Sequence, residues 1–433
     1  MERILSKDLK NYDSKIVLVK GHIFQKRMMG KINFLILRDK CGLIQVVIKD
    51  KLQIQKLNDI QDESVVYIKG KCIYDKRAIG EAEIHDPEIE VISKVKEPLP
   101  VEINKQEIHA NMDTLLDNRP LTLRSPKIRA IFTIQSQMAK AYREYAINFG
   151  ATEIFPPTIV GNATEGGSEL FEIKYYDKKA YLAQSAQLYK QIMVGVFETV
   201  FSISHSYRAE KFGTSRHMSE FSQYEWEMGF IESFMDIVNT GIDILRYILN
   251  SIKSECQNEL KLLETKLPLL PKDIPIMKFR DAQELLLKEL KIDHRTDIDL
   301  SPEDERNLCK ISKEKYSSDL IVITHFPFKK TAFYSMPDPK NTEYTLSFDF
   351  LLRGEEILSG SQRINEYDML IDSLKKKKLN PDNFESYTQI FKFGMPPEGG
   401  FGIGFERLTQ QFLSLSNVKE ASLFPRDVKR ITP

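Results

Sequence analysis

Ser204-His-Ser-Tyr-Arg-Ala-Glu210, a polar loop closing on Arg216-His217-Met218, and Glu220-Phe-Ser-Gln-Tyr-Glu-Trp-Glu-Met-Gly-Phe230 make up the stretch that decides how this chain reads. Two runs with strand character, 200–209 and 221–230, flank the loop. An Arg-x-Glu closing the first strand, an Arg-His at the loop's end and an aromatic opening the return strand suit a bent nucleoside triphosphate. Arg208 can grip a phosphate through two parallel N–H groups. Arg216 and His217 can hold the outer phosphates, Phe221 offers a ring face to an adenine, and Glu210 can accept from an adenine amino group. Arg-x-Glu alone fits a hairpin carrying surface ion pairs equally well. The nucleotide reading prevails because further pieces follow downstream in order.

Those pieces carry a resemblance. Arg208-Ala-Glu210 through Arg216-His217 resembles motif 2 of the class II aminoacyl-tRNA synthetases. Gly394-Met-Pro-Pro-Glu-Gly-Gly-Phe-Gly-Ile-Gly-Phe-Glu-Arg407 resembles motif 3 through Gly402, Gly404 and Arg407. Leu423-Phe-Pro-Arg-Asp427 then follows, as in aspartate enzymes of the archaeal and eukaryotic type. A helical pattern over 126–149, bounded by Pro126 and Gly150, leads into Thr152-Glu-Ile-Phe-Pro-Pro157 and fits motif 1, which in this family implies a two-fold homodimer. The resemblance implies an ATP site of Arg208, Ala209, Glu210, Arg216, His217, Met218, Phe221, Glu356, Gly404, Phe405, Glu406 and Arg407. Arg208, Glu356 and Arg407 are its catalytic charges.

Gln184-Ser-Ala-Gln-Leu-Tyr-Lys-Gln191 resembles the specificity block of the aspartate enzymes, with Ala186 in place of a proline. If a helix begins near Ser185, Gln187 and Lys190 share a face. Thr164-Glu-Gly-Gly-Ser-Glu-Leu-Phe171 resembles a glycine-hinged loop of the aspartate and asparagine enzymes, with Glu165 meeting the substrate ammonium. If Arg353-Gly354 is a tight turn, Asp349 and Glu356 are neighbours on one hairpin face. Two carboxylates so placed suit magnesium shared with ATP phosphates. The resemblance adds Ser359 to that metal set and puts Arg363 beside the substrate side chain. The implied L-aspartate pocket is Glu165, Gln187, Lys190, Arg208, Ser359 and Arg363. Two cations, Lys190 and Arg363, favour a carboxylate; an amide would leave charge unpaired in a dry site, at a cost on the order of several kcal/mol.

Upstream, five strand-like runs (16–24, 31–38, 43–49, 64–74 and 82–93) enclose a helical stretch near 51–60 after the third, the pattern of an OB-fold barrel. In the family such a barrel binds the anticodon. Phe34 matches its stacking aromatic and Gln45 a base-edge reader, although strand parity alone leaves Phe34 either in the core or outside it. The expected fold is α+β: an OB-fold barrel over 1–97, a linker over 98–124, and a catalytic domain over 125–433 built on an antiparallel sheet flanked by helices.

With 433 residues, the chain has room for roughly two or three domains. Its 62 Lys and Arg equal its 62 Asp and Glu, so net charge selects no partner. Residues 1–40 are locally basic, which suits a polyanion. The four cysteines form no CxxC pair, which argues against a zinc site and a disulfide framework and fits a reducing compartment. With no leader and no apolar run of membrane length, the chain reads as cytoplasmic. The resemblance implies an aspartate–tRNA ligase working with ATP, L-aspartate, magnesium and tRNA-Asp. Whether tRNA-Asn is charged too stays open, turning on residues near Phe24 and His85. The alternatives are an asparaginyl-tRNA synthetase, a tRNA-independent amide ligase on the same fold, and an inactive RNA-binding paralogue.

Overall fold

The structure, a computed structural model, describes residues 1–28, 32–105, 107–161, 170–211 and 213–433. Contacts divide the chain into two compact units, Met1–Pro126 and Lys127–Pro433.

The first unit is built on a closed barrel of five strands: β1 (Ile16–Met28), β2 (Asn33–Arg38), β3 (Leu43–Ile48), β4 (Val65–Tyr74) and β5 (Ala82–Ser93). They close in the order β1-β2-β3-β5-β4. Helix α1 (Lys51–Asn58) follows β3, capped by the Asp50 carboxylate, which accepts from the N–H groups of Leu52 and Gln53. This is the OB pattern expected from the sequence. Alternate residues point inward, so Val17, Val19, Leu35, Leu37, Ile44 and Val46 share one apolar core. Phe34 lies between the inward positions, half-buried and outside that core, paired with Val47.

The second unit is a mixed eight-stranded sheet flanked by helices. Its entry helix α2 (Pro126–Phe149) starts at a proline, whose missing N–H leaves no bond unmade in a first turn. It stops where Gly150 turns to φ +92°. In chain order there follow β6 (Thr152–Glu153), α3 (Gln187–Phe197), β7 (Thr199–Tyr207), β8 (Glu220–Gly229), α4 (Phe234–Glu255), β9 (Ile276–Lys278), α5 (Pro302–Tyr316), β10 (Leu320–Thr324), β11 (Ser347–Leu352), β12 (Glu355–Gln362), β13 (Glu398–Gly404) and α6 (Phe405–Leu413). The strand order is β9-β10-β11-β12-β13-β8-β7-β6. The central strands, β10 to β7, pair antiparallel as expected. The two edges depart from that expectation: β6 on β7 and β9 on β10 are parallel. Both edge strands are only two or three residues long, too short to leave a periodic signal.

One face of this sheet packs against α2, α4 and α6 through Met138, Tyr142, Ile248, Trp226, Phe350 and Phe412. Among the described residues no helix is long and apolar enough to cross a membrane.

Candidate active site

A cavity of about 640 Å³ opens on the sheet face opposite that core. Strand register lays out its floor. Glu225 on β8 stands beside Gly402 on β13, Gly402 beside Ser359 on β12, and Ser359 beside Asp349 on β11. The next row reads Glu227, Gly400, Ser361, Ser347. Residues in one row project to one face. Glycine keeps the middle strand low: a Cβ on Gly400 would sit 2.2 Å from Glu227 Oε2 and 2.0 Å from the Trp226 carbonyl oxygen. Acids on β8 and hydroxyls on β12 therefore face each other across bare backbone.

Arg353 and Gly354 form the expected tight turn, with φ of 51° and 93°, as a two-residue hairpin loop needs. A bulge follows. Leu351 pairs with Glu356, yet Phe350 pairs with Leu358, so Ile357 is the extra residue. It reverses parity and brings Glu356 and Ser359, three apart in sequence, onto the face that carries Asp349. Asp349 is buried, and Lys330 donates to its Oδ2 at 3.0 Å. Burial pushes the Asp349 carboxyl up to about 6, against the pull of the Lys330 ammonium. No group of three or more His, Cys, Asp or Glu among the described residues makes a closed metal cage. Two carboxylates and a hydroxyl on an open wall fit magnesium, which keeps waters and shares itself with phosphates rather than occupying an all-protein cage.

The β7–β8 hairpin supplies the nucleotide side. Arg208 has its guanidinium 5.4 Å from the Phe221 ring centroid, and its backbone N–H donates to Ser219 O at 2.9 Å. Arg216 meets Glu355 Oε1 through Nε at 2.6 Å and Glu305 Oε2 through Nη2 at 2.6 Å. Arg407, in the first turn of α6, donates to the Glu356 carbonyl at 2.8 Å. His217 Nδ1 lies 2.6 Å from Thr214 Oγ1. Burial lowers the His217 pKa, helped by the cations of Arg407, Arg208 and Arg216 against Glu210. Glu406 accepts from the Ser222 N–H at 3.0 Å, and burial raises its carboxyl to about 7. Glu210, Met218, Phe221 and Gly404 border the same cavity; Ala209 and Phe405 do not.

At the amino-acid end, Arg363 is buried and meets Glu227 through Nε at 2.6 Å, Ser361 Oγ through Nη1 at 2.7 Å and Gln187 Oε1 through Nη2 at 3.2 Å. Arg363, Gln187 and Ser359 border the cavity. Lys190 is not among the residues that border it. Its ammonium is buried behind that lining, donating to Glu225 Oε2 at 2.7 Å and to the Phe401 carbonyl at 2.9 Å, with Glu227 Oε2 at 3.2 Å. Both cations are matched by glutamates, so charge alone does not choose a carboxylate over an amide. Glu165 lies outside the described residues.

Sequence reasoning missed four groups. Lys330 and Glu305 sit on ordinary-looking charged stretches, and only tertiary folding brings them to Asp349 and Arg216. Glu227 and Glu398 had a signal, each lying in a quoted motif at a position where a buried acid needs a partner. On the barrel, Gln45 Nε2 donates to Glu83 across the parallel β3–β5 pairing, and His85 Nε2 lies 2.9 Å from the same carboxylate.

A mixed sheet with a glycine floor between acids and arginines, joined in one chain to a closed five-stranded barrel, defines the class: an enzyme with the class II aminoacyl-tRNA synthetase fold. Residues 111–428 match the family described as tRNA synthetases class II (D, K and N), and residues 17–92 match the OB-fold nucleic acid binding domain. The chain therefore belongs to the class II tRNA synthetases of the D, K and N group. It is 42% identical to the Aspartate–tRNA(Asp/Asn) ligase of Thermus thermophilus over 100% of both chains. It is 37% identical to the Aspartate–tRNA(Asp) ligase of Pyrococcus horikoshii over 97% of each. The solved structure of asparaginyl-tRNA synthetase from Pyrococcus horikoshii complexed with asparaginyl-adenylate matches with a TM-score of 0.92 at 32% identity, covering 100% of both chains.

Proposed function

We propose that this enzyme is an aspartate–tRNA ligase, which activates L-aspartate with ATP to aspartyl-adenylate and passes the aspartyl group to the 3′ end of tRNA-Asp. One observation carries the reading. Arg208, Asp349, Glu356, Arg363 and Arg407, from distant segments, border a single cavity in a chain whose full-length relatives bear that name.

The aspartate α-carboxylate attacks the α-phosphorus of ATP, and pyrophosphate leaves. Arg208 meets the charge that develops on that phosphate, while Arg216 and His217 face the outer phosphates. Phe221 and Glu210 take the adenine, and Arg407 adds a further cation at the nucleotide. Magnesium, held by Asp349, Glu356 and Ser359, would neutralise phosphate charge. Arg363 and Gln187 face the substrate side chain, with Lys190 buried behind them on Glu225 and Glu227. No protein nucleophile is needed, because positioning and fixed charge supply the rate.

We assign anticodon binding to the barrel over 1–97, with Phe34 stacking and Gln45 reading a base edge, and a hinge to 98–124. A homodimer is favoured by the segment after α2, where Phe155 is 86% exposed and Ile147, near the helix end, 63%; such apolar surface is normally covered by a partner. The test is aminoacylation of tRNA-Asp and tRNA-Asn transcripts with labelled aspartate. Charging of tRNA-Asp supports the reading, and charging of both supports the broader specificity named for the Thermus relative. Charging of neither overturns it. Asparagine is the second reading, favoured by the pairing of Lys190 with Glu225 and Glu227.

A further inference from the structure

Behind the amino-acid end of the cavity runs a chain of hydrogen bonds that ends on an acid. Arg363 Nη2 donates to Gln187 Oε1 at 3.2 Å, Gln187 Nε2 to Gln191 Oε1 at 2.9 Å, and Gln191 Nε2 to Glu398 Oε1 at 3.1 Å. Gln191 and Glu398 are fully buried, and Gln187 nearly so. The orientation of both amides follows from the two ends. An arginine only donates, so Gln187 must present its oxygen to Arg363 and its NH2 to Gln191. Gln191 must then present its NH2 onward, which requires an acceptor at the far end. Glu398 Oε1 is that acceptor.

The other carboxyl oxygen, Glu398 Oε2, is buried without a hydrogen-bond partner. A carboxylate in that position would be costly. The surrounding charge makes it costlier. The groups that face Glu398 are Glu227 on β8, Arg363 just past β12, Lys190 on α3 and the phenol of Tyr387. Lys190 touches Glu225 and Glu227, and Arg363 touches Glu227. Two cations thus already contact two carboxylates, and a third negative charge would stand unmatched in a dry site. Burial, with Glu227 adding to it, lifts the Glu398 carboxyl well above its ordinary range.

We propose that Glu398 is held as a neutral carboxylic acid and is a positioning residue for amino-acid recognition, fixing Gln187 and Arg363 toward the substrate side chain without touching it. The proposal rests on reading this end of the cavity as the amino-acid pocket. It makes Glu398 a residue that needs an acceptor oxygen and no charge. A substrate carboxylate can then enter beside Arg363 without meeting a third glutamate charge.

The test is amino-acid-dependent exchange of pyrophosphate into ATP, with KM measured separately for aspartate and for ATP. Glu398→Gln keeps the acceptor oxygen and the neutrality, so its KM for aspartate should stay within about threefold of wild type. Glu398→Met keeps the volume and loses the acceptor. Its KM for aspartate should rise about tenfold or more, with the KM for ATP within about twofold. A Glu398→Gln variant as impaired as Glu398→Met would mean that the negative charge is required, and overturns the proposal. An unchanged aspartate KM in Glu398→Met leaves only a structural role and overturns it as well. If that variant fails to fold, Gln191→Met cuts the same chain one link nearer the cavity and should give the same split; an unchanged aspartate KM there is again contrary. Failure of the pocket reading would show differently, as wild-type enzyme with no aspartate-dependent exchange.

Discussion

Lys190 Nζ lies 2.7 Å from Glu225 Oε2, and both side chains are buried, with Glu225 in the row that forms the cavity floor. The lysine that a specificity motif offers as a substrate ligand is thus the counter-ion of two glutamates. Any direct contact with substrate would require that pairing to be exchanged.

The first consequence concerns stability. Lys190→Met strands Glu225 and deprives Glu227 of one of its two cations. Breaking a buried pair from one side typically costs about 3–5 kcal/mol. Urea unfolding should register a loss of that order, and Lys190→Met with Glu225→Gln should recover part of it. A single variant as stable as wild type would mean that the pair contributes nothing.

Arg208 is expected to matter through its fork. Arg208→Ala should lower exchange by about 100-fold or more with the fold intact by circular dichroism, the scale seen when one donor to a developing oxyanion is removed. Arg208→Lys should recover little, since an ammonium cannot offer two parallel N–H groups. Near-normal exchange in Arg208→Ala would remove it from the chemistry.

Glu406 makes stability depend on pH. Its carboxyl is raised from 4.5 to about 7 in the folded protein. The folded state therefore holds this proton more tightly than the unfolded chain. The stability it contributes is full below about pH 4.5 and is lost as pH rises through about 7. Glu406→Gln is neutral at every pH and escapes that loss. Between those two values the variant should gain on wild type by an amount on the order of a few kcal/mol, read as the difference between their unfolding free energies. A constant difference across that window would contradict the shift.

Phe34 stands outside the barrel core, so removing its ring should spare the fold. Phe34→Ala should raise the KM for tRNA about 5- to 150-fold, matching a stacking contribution of about 1–3 kcal/mol, and leave exchange unchanged. An unaltered tRNA KM would exclude stacking at this residue.

The barrel was legible because its strands alternate on one buried face, and the antiparallel centre of the sheet because its strand runs follow one another directly in sequence. Helix α2 was legible at both ends, from Pro126 and from a glycine that takes φ +92°. The Asp349–Glu356 neighbourhood was legible through the Arg353-Gly354 turn. The bulge at Ile357, which turns Ser359 to the same face, was not, since one extra residue leaves no mark on periodicity. Nor were the partners of Lys190, Arg216 and Asp349. Ion pairs between segments far apart in sequence depend on packing that local patterns do not encode. This is why the counter-ions of the amino-acid pocket were not legible while the residues around it were named.

The most direct measurement is pyrophosphate exchange into ATP with aspartate and asparagine in separate reactions. An aspartate–tRNA ligase should support exchange with aspartate and give little or none with asparagine. Exchange with asparagine alone would contradict the proposed function, and would mean that two cations already paired with glutamates leave a pocket built for an amide.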